Sequence, residues 1–98
     1  MIRRLKMLFM IIYTWEPGQR DALIKRRIEK KGSSLAEGVQ KIHEWFDAGG
    51  GRGFVVFETN DPRVIMTSIM TWDDLLKAEV VSLLDVTEIF PKEKNENE

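Results

Sequence analysis

The first candidate for acid–base chemistry near neutral pH in this 98-residue chain is His43, because the sequence holds no second histidine and no cysteine. An imidazole titrates near neutrality and can act as acid, base or ligand. Glu58 is the carboxylate that could orient it as a proton-transfer partner. The plainer reading of His43 is a half-buried polar residue with no catalytic duty, and that of Glu58 is a balance for Lys41 or Arg52. His43-Glu44 begins like the metalloprotease pattern H-E-x-x-H, but Asp47 stands where the second histidine belongs, so no metal site is expected. Gly49-Gly50-Gly51-Arg52-Gly53 combines approachable backbone N–H groups with a guanidinium, the ingredients of an anion site. Phosphate loops lead from a strand into a helix, whereas this one leads into a strand, so a flexible hairpin is the simpler reading. Trp45 and Trp72 could line a flat pocket, although aromatic residues serve cores more often than ligand platforms.

The elements that must position these groups fit one core. A chain of this length is too short for two. One domain over residues 5–91 is expected, and the apolar-free tail 92–98 should be disordered. A formal charge of −1 gives no general attraction to nucleic acid or anionic lipid. The basic run Lys25, Arg26, Arg27, Lys30, Lys31 is interrupted by Glu29 and lacks aromatics, which suits a solvated face. Met1 to Lys6 and the apolar run after it look superficially like a secretion signal, but Glu16 and Pro17 follow with no small-residue cleavage site. The run is also far too short to span a membrane. The lack of cysteine fits a reducing cytoplasm.

Leu5 to Trp15 reads as a strand that is apolar on both faces, and Pro17 opens a helix with the narrow stripe Leu23, Ile24, Ile28. The rest of that helix, with Arg20, Lys25, Arg26, Glu29 and Lys30, is read as solvated. Arg52 to Thr59 is a second two-faced strand. Asp61 as cap and Pro62 as first residue open a helix with Ile65, Ile69 and Trp72 on one face, and Met66 and Met70 read as ordinary helix packing. Val80 to Phe90 is a last strand. Ser34 to Asp47 is ambiguous: Ser34 with Glu37 resembles a capping box and Leu35, Val39, Ile42, Phe46 recur at helical spacing, yet Gly38 and the adjacent Trp45-Phe46 suit a buried strand.

Trp45, the run Gly49-Gly50-Gly51-Arg52-Gly53-Phe54, Glu58, Asp61, Trp72 with Asp74 and Leu75, and Glu79-Val80 together resemble a small family known only as domain of unknown function 3303. The resemblance covers roughly Met7 to Phe90; Ser82 departs from it, standing where a proline is expected. It implies an α+β, ferredoxin-like fold of βαββαβ order, a four-stranded antiparallel sheet with two helices on one face, assembled as a dimeric α+β barrel. It also implies a strand where the local pattern of Ser34 to Asp47 suggests a helix.

Two right-handed crossovers put both helices on one face of such a sheet. The other face would then expose the apolar side chains of two strands, more than a monomer tolerates. A second copy is the economical cover, and the resulting barrel would offer an enclosed site. With Ala48 to Gly51 as the hairpin loop, Asp47 pairs with Arg52, Trp45 with Phe54, His43 with Val56 and Lys41 with Glu58. The more apolar set, Ile42, Phe46, Val55 and Phe57, makes the better floor for the helices. His43, Trp45, Arg52 and Glu58 then face the partner and form the candidate pocket. A bulge at the glycines would swap the assignment.

The expectation is a cytoplasmic homodimer that binds a small molecule in or beside the barrel. The alternative is a monooxygenase- or isomerase-like enzyme using His43 and Glu58. No cofactor is expected, since a lone histidine on an edge strand is poorly placed for haem, and neither nucleic acid nor membrane is an expected partner.

Overall fold

A computed structural model describes residues 7–30 and 38–90. Four strands, Met7–Thr14 (β1), Gln40–Phe46 (β2), Arg52–Thr59 (β3) and Lys77–Leu83 (β4), form one sheet in the order β2-β3-β1-β4. All three pairings are antiparallel, which is the ferredoxin-like arrangement. Helix α1 (Arg20–Glu29) connects β1 to β2, and α2 (Arg63–Met70) connects β3 to β4.

The two-faced strands take the two central positions, as their composition requires. On one face Phe9, Ile11, Tyr13, Val55 and Phe57 form the core, with Ile65, Ile69 and Leu76 packed onto them. Phe57 is fully buried and stacks on Phe9 with ring centroids 5.7 Å apart. Thr59 closes this face at the end of β3. Its hydroxyl donates to the Gly38 carbonyl (3.2 Å) and accepts from the Asp61 N–H (3.1 Å), so a buried polar group is satisfied while β3 is tied to the start of α2. The Asp61 carboxylate accepts from the Arg63 N–H (3.1 Å), as a helix-opening residue should.

The segment Gln40–Phe46 is a strand, so the resemblance and not the local helical spacing describes it. The β2–β3 loop is Ala48 to Gly51, closed by the Asp47 N–H donating to the Arg52 carbonyl (2.9 Å). Gly50 and Gly51 have φ of 88° and 85°, values open to glycine at little cost.

Four local readings need correction. The last strand stops at Leu83, because Asp85 accepts from the N–H and hydroxyl of Thr87 (2.9 and 2.7 Å) and starts a helical turn, Val86–Ile89 (α3). The α1 stripe narrows to Leu23, while Ile24 and Ile28 are 45% and 70% exposed. Arg26 turns inward instead, lying over the Trp72 ring at 5.6 Å and making a bidentate pair with Asp74 (2.7 and 2.8 Å). Met66 and Met70 are each 62% exposed and pack little. The capping box at Ser34 and Glu37 and the tail 92–98 lie outside the described residues. Among the described residues no helix is long and apolar enough to cross a membrane.

Candidate functional site

The register places His43, Trp45, Arg52 and Glu58 on the face opposite the core. Val55 and Phe57 are buried beneath the helices, so alternation sends Arg52, Phe54, Val56 and Glu58 the other way. His43 lies opposite Val56 and Trp45 opposite Phe54. The His43 and Trp45 rings are in contact, centroids 4.6 Å apart, and the Arg52 guanidinium sits 5.2 Å over the Phe54 ring. Three of the four residues thus share one corner of the open face. Glu58 is set apart, opposite Gln40 and diagonal to His43, a backbone separation of about 7–8 Å. His43 and Trp45 line one surface depression with Lys41 and Phe46, whereas Glu58 lines another with Val39 and Asn60.

The expected pairing of Lys41 with Glu58 is not formed across the strands. A bulge at Ile42 shifts the register so that Lys41 lies opposite Phe57, and its ammonium bonds Glu44 instead (3.2 Å). The glycine loop likewise offers less to an anion than its sequence promised. The Asp47 carboxylate already accepts the Gly49 N–H (2.9 Å) and the Arg52 guanidinium (3.1 and 3.2 Å).

A second polar cluster, on the helix side, was not expected. Glu44 points toward the core face with its side chain 9% exposed, and Arg27 of α1 meets it with two hydrogen bonds of 3.1 Å. The Tyr13 hydroxyl donates to the same carboxylate. Tyr13 is on β1 and Glu44 on edge strand β2, so the ring must cross β3 to reach it. It crosses at Gly53, its register partner, where a Cβ would lie 2.3 Å from the ring. Gly53→Ala is therefore expected to lower stability by about 1–3 kcal/mol, as overpacking does. Chemical denaturation measures it, and an unchanged midpoint would show that the ring does not need that gap.

Burial pushes the Glu44 carboxyl up, but hydrogen bonds from Arg27 and Tyr13 outweigh it and hold the group below the usual carboxylate range. Burial, then the Glu44 hydrogen bond and charge, drive the Tyr13 phenol far above its ordinary value. Burial alone would lower Arg27, yet Glu44 raises it. Each group is thereby locked in its usual protonation state at neutral pH. The cluster can hold and orient, but it makes a poor proton shuttle, which works best with values near the operating pH.

Beside the cluster lies a cavity of about 40 Å3 between sheet and helices. Leu23, Ile69, Trp72, Leu76 and Ala78 supply apolar wall, with Tyr13, Arg27 and Glu44 at its polar side. A void of that size left empty costs on the order of 1 kcal/mol. The signal that could have revealed this cluster was Glu44 itself, a carboxylate that strand alternation sets beside Phe46 on the core face, where a charge requires a partner. Among the described residues no group of three His, Asp or Glu is placed to hold a metal ion.

No curated protein and no solved structure matches the chain. A family described as Domain of unknown function (DUF3303) does match, over residues 7–95, which takes in β1 to β4, the His43–Trp45 corner and the Tyr13–Glu44–Arg27 cluster. The chain belongs to that family.

Proposed function

We propose that the protein is a cytoplasmic homodimer in which two open sheet faces close on each other as an α+β barrel, and that it binds a small molecule in or beside that barrel without acting on it chemically. The observation that carries this reading is the open face itself. Leu8, Met10 and Ile12 of β1, Phe54 and Val56 of β3, and Val81 and Leu83 of β4 share it by register, opposite the face that receives Ile65 and Ile69 of α2. Four strands about 4.8 Å apart and roughly seven residues long present on the order of 450 Å2 in plan. That is as large as the largest bare patch of a typical monomer, roughly 300–600 Å2, which is often functional. A standard interface needs about 800 Å2 per partner. Leu84, Val86, Ile89 and Phe90, each more than half exposed directly after β4, offer further apolar surface.

The binding role, as opposed to catalysis, rests on the separation of His43 from Glu58 and on the fixed protonation of the helix-side cluster.

Light scattering on purified protein at micromolar concentration should return twice the chain mass, and native mass spectrometry should detect a small molecule retained by the dimer. A well-folded monomer would overturn the assembly, while a dimer that holds no small molecule under gentle ionisation would leave assembly as the better account.

A further inference from the structure

Three polar side chains of the open face are without a polar partner among the described residues. The Trp45 indole N–H and the His43 imidazole make no hydrogen bond there, and each ring touches the other. Glu79 of β4 likewise has no hydrogen bond or ion pair among the described residues. The register links them. Trp45 lies opposite Phe54, Phe54 opposite Ile12 and Ile12 opposite Glu79, so one row crosses the sheet from edge to edge on the open face. Its ends are three strand spacings apart, about 14 Å, too far for Glu79 to reach Trp45 within one chain. The chemistry is complementary: a carboxylate only accepts, an indole only donates, and an imidazole can do either.

The other charges of this face are provided for. Asp47 holds the Arg52 guanidinium, Glu58 is engaged within its own chain, and Lys77, at the outer end of β4, reaches water on its long stem. Glu79 stands one row further in, beside Ile12, so a second sheet closing over it would bury a carboxylate that needs a donor. Two copies meeting face to face share a two-fold axis that runs either across the strands or along them. An axis across the strands lays β4 on β4 and sets Glu79 against Val81 of the second copy, an apolar neighbour. An axis along the strands reverses the order β2-β3-β1-β4, lays β4 on β2 and sets Glu79 against Trp45 and His43. Sheets packed about 10 Å apart leave a gap that two facing long side chains fill. We propose that the barrel closes about an axis along the strands and that Glu79 of each copy accepts hydrogen bonds from Trp45 and His43 of the other. This pairing requires the face-to-face dimer proposed above, and each His43–Trp45 corner is complete only in it. Two such contacts, one at each seam, hold the barrel shut.

The chain has no cysteine, so single introduced thiols report cleanly. Trp45→Cys and Glu79→Cys proteins, unfolded and refolded together to form mixed dimers, are treated with bismaleimidoethane. The mixture should yield a covalent dimer on a denaturing gel, and neither variant alone should. Strong cross-linking of Glu79→Cys with itself would place the axis across the strands and overturn the pairing. In protein labelled with 15N at the indoles, Glu79→Ala should move the Trp45 resonance more than that of Trp72, at a concentration where light scattering shows a dimer. Within one chain Trp72 is the nearer, since it shares a cavity with Ala78. The variant loses two charge-assisted contacts per dimer, so its dissociation constant should rise about a hundredfold. If Glu79→Ala does not fold, the cross-linking decides. An unmoved Trp45 resonance, or a mixture that does not cross-link, would overturn the pairing and leave the dimer standing where the parent is dimeric. A monomeric parent would overturn both.

Discussion

Glu44→Ala should destabilise the protein by about 3 kcal/mol near neutral pH, the low end for breaking a buried ion pair. The loss comes from both sides of the bond. Arg27 and Tyr13 are left with partly buried donors aimed at nothing, and edge strand β2 loses its side-chain ties to α1 and β1. The figure sits low because Arg27 can turn partly to water. The same variant has a pH signature. Glu44 is held below its ordinary value in the folded state, so its contribution is present above the unfolded carboxyl value and fades as pH falls through the folded one. Urea unfolding near neutral pH and at about pH 3, below the unfolded value of about 4.3, should show the gap between parent and variant narrowing in acid. A gap that is constant with pH would mean that Glu44 acts by packing and not by charge.

Val56→Asp should either dissociate the dimer or unfold the chain. Val56 sits at the middle of the open face, opposite Met10 on β1 and His43 on β2. In the proposed barrel a carboxylate there would be enclosed among Met10 and its apolar neighbours with only the His43 side chain to pair with, a penalty of several kcal/mol that is large against total stability. Light scattering and circular dichroism on the variant give the answer. Ile28→Asp is the control, because Ile28 is 70% exposed on α1 and a charge there should be tolerated. A Val56→Asp variant that remains a folded dimer would place the interface elsewhere.

Much of the scaffold was readable from residue order. Strands β1 and β3 announce themselves as central because both of their faces are apolar, and a strand hidden on both sides cannot sit at an edge. The loop Ala48 to Gly51 and the pairing of Trp45 with Phe54 and His43 with Val56 follow from strand alternation and from where glycine permits a turn. Those regularities are local, so they survive in a one-dimensional reading. They also put His43, Trp45, Arg52 and Glu58 on one face without any structure.

What the tertiary structure decided depends on neighbours remote in sequence or on single-residue irregularities. Whether Gln40–Phe46 would be strand or helix was settled by the vacant edge of β3, since the local spacing pointed to a helix. The bulge at Ile42 moved Lys41 from Glu58 to Glu44 and left no trace in the apolar pattern. The end of β4 was set by one short-range cap at Asp85. The Tyr13–Glu44–Arg27 cluster joins β1, β2 and α1 across 31 and 17 residues of chain. Nothing in the order of residues says that a tyrosine will cross a strand, and only the register that sets Gly53 beneath its ring made the crossing sterically open. Alternation could determine which face a side chain takes, but its partner on that face was decided by packing.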